Sequence, residues 1–133
     1  MPEQHTILFV DDEREILIAA TLRLGAAGYN ILTACDGVDG MALAAECRPD
    51  VILLDVRMPR MDGLTALREL KRRSDTKDIP VIMLSASIID RQAALDAGAM
   101  SFLKKPYSGD LLVRTVNVAR ESKRPAIRVL TSG

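Results

Sequence analysis

Short apolar runs stopped by a polar residue alternate along this chain with stretches whose apolar positions recur every three or four residues. TILFV at 6–10 (β1), DVILLD at 50–55 (β3) and the run from Ile79 to Leu84 (β4) are nearly continuous in aliphatic residues. Such runs predict parallel strands buried on both faces. YNILTA at 29–34 (β2) alternates, which predicts less burial near a sheet edge, and SFLK at 101–104 (β5) is the shortest run. The first helical stretch (α1) extends from Glu13 to about Ala27 and carries Ile16, Leu17, Ala20 and Leu24. Glu13 and Glu15 lie in its first turn, where the helix dipole favours acids, and Gly28 ends it. The second (α2) follows the Asp36-Gly37 turn through about Cys47 and is closed by Arg48-Pro49; Gly40 inside it weakens it. Leu64 to about Arg73 (α3) repeats Leu64, Leu67 and Leu70, and Ile89 to about Ala97 (α4) stops at Gly98. Gly109 to Lys123 (α5) starts behind Ser108, a good N-cap.

Each helix joins two strands through a few residues of loop, which demands parallel pairing and right-handed crossovers. The expected fold is therefore α/β, a single three-layer doubly wound (βα)5 domain, with β3 central because it is the most apolar strand. We expect residues 1–123 to form this domain and 124–133 to be a tail or the start of a linker. A hydrophobic fraction of 48% with only 3% aromatic residues predicts an aliphatic core. Eighteen basic and eighteen acidic side chains cancel, so charge favours neither a nucleic acid nor a membrane surface. No apolar run approaches the ~20 residues of a membrane span, and the leader MPEQHT has no apolar signal segment, so a cytoplasmic location is expected. Met1 lies just before β1, so the domain is expected to be N-terminal. Cys35 and Cys47 match no zinc or CxxC spacing and are expected to be free thiols acting as small hydrophobes. His5, in a polar leader without a second ligand, is expected to hold neither metal nor phosphate.

The chemistry collects where strands end. Asp11-Asp12 follow β1, Asp55 closes β3, Ser85 follows β4 and Lys105-Pro106 follow β5. Open α/β sheets bind ligands at the carboxyl ends of their strands. Two of these carboxylates ~4 Å apart would repel by about 4 kcal/mol at an effective dielectric near 20. A divalent cation or a lysine must offset that. All-oxygen ligands suit magnesium, which keeps several waters while joining one or two carboxylates to a phosphate. A carboxylate can itself attack phosphorus, with metal and lysine neutralising oxygens in a loose transition state. Taken singly, Asp11-Asp12 could be a helix cap and Lys105-Pro106 a turn, and Lys104 is the alternative lysine.

VDDE at 10–13, LLDVRMPRMDG at 53–63, LSAS at 84–87 and FLKKP at 102–106 resemble the receiver domain of two-component response regulators, over about residues 6 to 121. The resemblance implies a flavodoxin-like sheet of order 2-1-3-4-5. It implies Asp55 as phosphoacceptor, served by a sensor histidine kinase or a histidine phosphotransfer protein. Asp12, Asp55 and the backbone carbonyl of Arg57 would bind Mg2+ directly, and Asp11 through a metal-bound water. Ser85 would hydrogen-bond a phosphoryl oxygen, and Lys105, directly before proline as the motif requires, would pair with Asp55 or its phosphate across a cis Lys105–Pro106 peptide. Phe102 takes the aromatic switch position without the hydroxyl of the commoner tyrosine, and Pro59 and Gly63 shape the loop beside the acceptor. Arg57 and Ser87 lie beside the path of attacking water, where they either tune phosphate lifetime or face solvent.

By the same resemblance the domain is not an enzyme in the ordinary sense, catalysing only its own phosphorylation and dephosphorylation. A haloacid-dehalogenase-like phosphatase would want an Asp where Arg57 stands and its paired acids last in the chain. A flavodoxin-like flavin binder would have its phosphate repelled by VDDER, and a pseudo-receiver typically lacks an acid or the lysine, all present here. The partner face is expected to be α4-β5-α5. Leu112, Val116 and Ala119 form one apolar line on α5, and Leu111, Thr115 and Val118 a second, an arc wider than one sheet contact needs. It is expected to serve phosphorylation-linked homodimerisation or docking, unless Ile127, Val129 and Leu130 of the tail fold back over it.

Overall fold

A computed structural model describes residues 4–122; the tail at 124–133, with Ile127, Val129 and Leu130, lies outside the described residues. Strands β1 (Thr6–Val10), β2 (Asn30–Ala34), β3 (Val51–Asp55), β4 (Val81–Ser85) and β5 (Ser101–Lys104) alternate with α1 (Arg14–Ala26), α2 (Gly37–Cys47), α3 (Gly63–Arg72), α4 (Asp90–Asp96) and α5 (Gly109–Ser122). All pairings are parallel, in the order β2-β1-β3-β4-β5. β3 is central and buried throughout, whereas the edge strand β2 is partly exposed, as its alternation predicts.

Side chains that alternate along each strand enter two cores. Leu8, Val10, Ile52, Leu54, Val81 and Met83 face one, closed by Met41 and Ala44 of α2, Leu67 and Leu70 of α3 and Ala94 of α4. Ile7, Phe9, Val51, Leu53, Ile82 and Leu84 face the other, closed by Leu17, Ala20 and Leu24 of α1 and by Leu112, Val116 and Ala119 of α5. The sheet is thus the middle of three layers.

Local details explain where the pattern misleads. β4 begins at Val81 because Pro80 has no N–H for the ladder, though its carbonyl still accepts from Ile52 N–H at 3.0 Å. Gly40 does not break α2, since a Cβ there would stand 2.9 Å from Val10 Cγ2, so the missing side chain lets the helix lie close on β1. Ser108 Oγ accepts from Leu111 N–H at 3.0 Å and caps α5 as expected. Both thiols are free, but neither acts as a core hydrophobe. Cys35 lies in the turn after β2 and Cys47 at the last position of α2, and both are exposed. His5 is less detached than its polar surroundings suggest: its carbonyl accepts from Asn30 N–H at 2.9 Å, and Nδ1 stands 3.6 Å from Asp50 Oδ2. No described helix is long and apolar enough to cross a membrane.

Candidate functional site at the carboxyl edge of the sheet

Strand register assembles the site. Val10 stands opposite Leu54, so the residues that follow, Asp11 and Asp55, leave the sheet side by side. Asp55 pairs with Leu84 and Ser85 with Lys104, which brings Ser85 and Lys105 to the same edge. Asp11 and Asp55 are buried and Asp12 is exposed, and one carboxylate oxygen from each lies within 4.8 Å of the others. The Lys105 ammonium sits among them, 2.9 Å from Asp11 Oδ2, 3.4 Å from Asp55 Oδ1 and 3.7 Å from Glu13 Oε1. Lys104 does not join the cluster; its Nζ is exposed and donates to the Lys105 carbonyl at 3.3 Å. The Lys105–Pro106 peptide is cis. Asp11 Oδ1 also accepts from Glu13 N–H at 2.9 Å, a turn that leads into α1; the N-cap itself is Glu13, without a side-chain capping bond, so Asp11 is not the helix cap.

The electrostatics are unbalanced by design of the sequence. Burial first, and then the charge of Asp11, push Asp55 up to about 6, against the pull of Lys105 and a backbone N–H from Arg57. Burial works against the Lys105 ammonium, yet hydrogen bonds and charge from Asp11 and Asp55 raise its pKa overall. Three clustered carboxylates against one ammonium leave a negative excess. Hard oxygen donors with that excess fit a divalent cation.

Ser85 is 1% exposed at the end of β4. Its hydroxyl donates to Asp90 Oδ2 at 2.6 Å and accepts from Ser87 N–H at 3.0 Å. Asp90, the first residue of α4, also receives the Arg57 guanidinium, at 3.0 Å from Nη2 to Oδ1 and 3.3 Å from Nε to Oδ2. Arg57 is therefore mostly exposed but not simply solvated, because it is paired with Asp90, a contact the sequence did not suggest. Nothing in the sequence alone singles out Asp90. Its only local signal is an acid in the first turn of a short helix, where a dipole role suffices to explain it.

Phe102 is half-buried, opposite Met83 in the ladder, and packs on the core that α4 closes. Tyr107 was also not legible in advance: burial pushes its phenol up to about 12, and it lines a groove with Ile16, Ala20, Pro106 and Leu112 next to Lys105. The loop between β3 and α3 folds back beside Asp55 through Gly63 N–H to Val56 O at 2.7 Å, and Arg60, at φ 69°, reaches Asp36 Oδ2 at 2.8 Å.

The family model described as response regulator receiver domain matches residues 7–117. The chain is 39% identical over 121 residues to the DNA-binding dual master transcriptional regulator RpaA of Synechocystis, covering 89% of this chain and 50% of that one. It is 41% identical over 120 residues to the response regulator MprA of Mycobacterium leprae, covering 88% and 52%. The chain thus spans about half the length of these curated relatives. Among solved structures, Vibrio cholerae chemotaxis protein CheY4 superposes with a TM-score of 0.82 at 33% identity, over 88% of this chain and 99% of that one. The signal receiver domain of a signal transduction histidine kinase from Syntrophus aciditrophicus gives 0.83 at 31% identity, over 91% and 94%. With its sheet order, its acidic edge and this match across most of its length, the chain belongs to the response regulator receiver domain family.

Proposed function

We propose that Asp55 accepts a phosphoryl group from a phosphohistidine on a sensor histidine kinase or histidine phosphotransfer protein, with Mg2+ required, in the cytoplasm. The carrying observation is the convergence of Asp11, Asp12 and Asp55 with the Lys105 ammonium at one sheet edge. Asp12, Asp55 and the Arg57 carbonyl would hold the metal, with Asp11 acting through a metal-bound water. When bound, it neutralises phosphoryl oxygens. An Asp55 carboxylate oxygen attacks phosphorus, the P–N bond breaks, and its electron pair stays on the departing imidazole. Lys105 lies within reach of Asp55 and offsets the charge carried onto the new phosphate, and Ser85 donates to one of its oxygens. Water attack on the phosphorus then restores Asp55, so self-phosphorylation and self-dephosphorylation are the whole of the catalysis.

Intact-mass measurement after incubation with acetyl phosphate tests this. One phosphate adduct is expected on the wild type with magnesium, and none on Asp55→Asn or in EDTA. An adduct that survives Asp55→Asn, or forms equally well in EDTA, rejects the assignment.

The α4-β5-α5 face is the proposed output surface. Leu112, Val116 and Ala119 are spent on the core, while Ile89 is 83% exposed, Val118 62%, Met100 45% and Leu111 40%. Met100 and Val118 line one groove on this face, and exposed apolar side chains there invite cover by a second copy or an output partner. The domain itself is not proposed to touch nucleic acid. Sedimentation should report a dimer when magnesium and fluoroberyllate are added and a monomer without them, with Leu111→Glu/Val118→Glu monomeric throughout. A wild type that stays monomeric in both conditions, before and after deletion of residues 125–133, removes this reading.

A further inference from the structure

Ser85 has one hydroxyl proton, and Asp90 holds it. The lone-pair side is taken by the Ser87 N–H. A hydroxyl so engaged cannot also donate to a phosphoryl oxygen without leaving Asp90. The structure assigns Asp90 as a latch: a positioning residue that withholds the Ser85 proton at rest, so that phosphorylation of Asp55 draws the hydroxyl away and frees the start of α4. The assignment rests on Asp55 being the phosphoacceptor.

Three observations make the competition consequential. Asp90 is 8% exposed and the Ser85–Asp90 distance of 2.6 Å is that of a charge-assisted bond, roughly twice as strong as a neutral one. α4 has seven residues, only Asp90 and Ala94 of them buried, and its N-cap Ile89 makes no side-chain capping bond. Asp90 is therefore one of two anchors of this helix, and its tie to β4 runs through the serine. Arg57, two residues beyond Asp55, grips the same carboxylate with both Nε and Nη2 and keeps it aimed at Ser85. Phosphate and helix thus compete for one proton, and by linkage each weakens the other's hold on it. Asp90 opens α4, an element of the proposed output face, so the competition at Ser85 reaches that face.

Fluoroberyllate affinity in the presence of magnesium, read by its bound fluorine resonances, tests the latch. Asp90→Ala is expected to bind about tenfold tighter than wild type, the scale of a released hydrogen bond to a charged group. Asp90→Asn, whose amide oxygen accepts the proton without the charge, should fall between, and Arg57→Ala should shift affinity the same way by less. In a Ser85→Ala background the Asp90→Ala gain should vanish. In EDTA without fluoroberyllate, Ser85→Ala should speed amide exchange at Ala93 and Ala94. Unchanged affinity in both Asp90→Ala and Asp90→Asn, or the same gain without the serine, overturns the latch. Fluoroberyllate binding that survives Asp55→Asn overturns the phosphoacceptor reading and the latch with it; its loss there, together with no effect at Asp90, overturns the latch alone.

Discussion

Replacing Gly63 by alanine is expected to cost about 3 kcal/mol or more, lowering Tm by roughly 10 °C. An added Cβ would stand 2.1 Å from the Asp55 carbonyl oxygen, 2.8 Å from Asp55 C and 2.9 Å from Val56 Cα. All three are backbone atoms at the end of the central strand or directly after it, so no rotamer change relieves the overlap. The loop would have to lift, disturbing Asp55, and under the proposed function the rate of adduct formation should drop alongside stability. Gly25→Ala is the matched control. That glycine lies inside α1 with nothing within 4 Å of the added carbon, so helix propensity alone acts and about 1 kcal/mol of stability is gained. Urea titration of both variants decides the matter; a loss at Gly63 under 1 kcal/mol would mean the contact with the acceptor strand is not tight.

Asp55→Asn is expected to be more stable than the wild type in metal-free buffer at pH 8, by about 2–3 kcal/mol. Asp55 titrates near 6 in the fold against an ordinary 3.8, chiefly through burial, so the folded state binds the proton more tightly than the unfolded chain. Between those two values the unfolded carboxyl has ionised and the folded one has not. Wild-type stability therefore falls as pH rises through this window, at up to about 1.4 kcal/mol per unit, and is lowest above it. Asparagine carries no proton to lose and escapes the slope. Urea midpoints in EDTA at pH 8, 6 and 4 should show the variant's advantage shrinking step by step, and added magnesium should narrow it at pH 8. An advantage independent of pH would locate the strain elsewhere.

The strands were legible because aliphatic runs of this length have few other uses, and the cluster was legible because each run stops at its functional residue. Asp55 ends VILLD and Lys105 follows SFLK, so the sheet edge is written in the punctuation of the chain. What escaped were the spatial contacts that no strand end or family motif marks. Asp90 reads as an ordinary helix-start acid until Ser85 and Arg57, from two different strand ends, are brought onto its oxygens. Gly40 looks like a defect until Val10 is seen against it. Cys35 and Cys47 are small and apolar enough for a core, but their places in a turn and at the end of a helix lie beyond either core. Propensity judges a residue by itself, and these four positions answer to neighbours.

The ammonium that sits among the acids comes from 94 positions beyond Asp11. Ribosomal synthesis delivers β1 and β3 first, with their carboxylates, and the compensating lysine only on the final strand. Until β5 docks, the acid pair carries its repulsion without that ammonium, and parallel pairings of this span are the slow ones to form. A chain caught short of its last strand would hold Asp11 and Asp55 but not the ammonium that offsets their charge. Under the proposed function, the site's charge balance is thus completed only when the last strand docks, which ties readiness for the phosphate to the finished sheet.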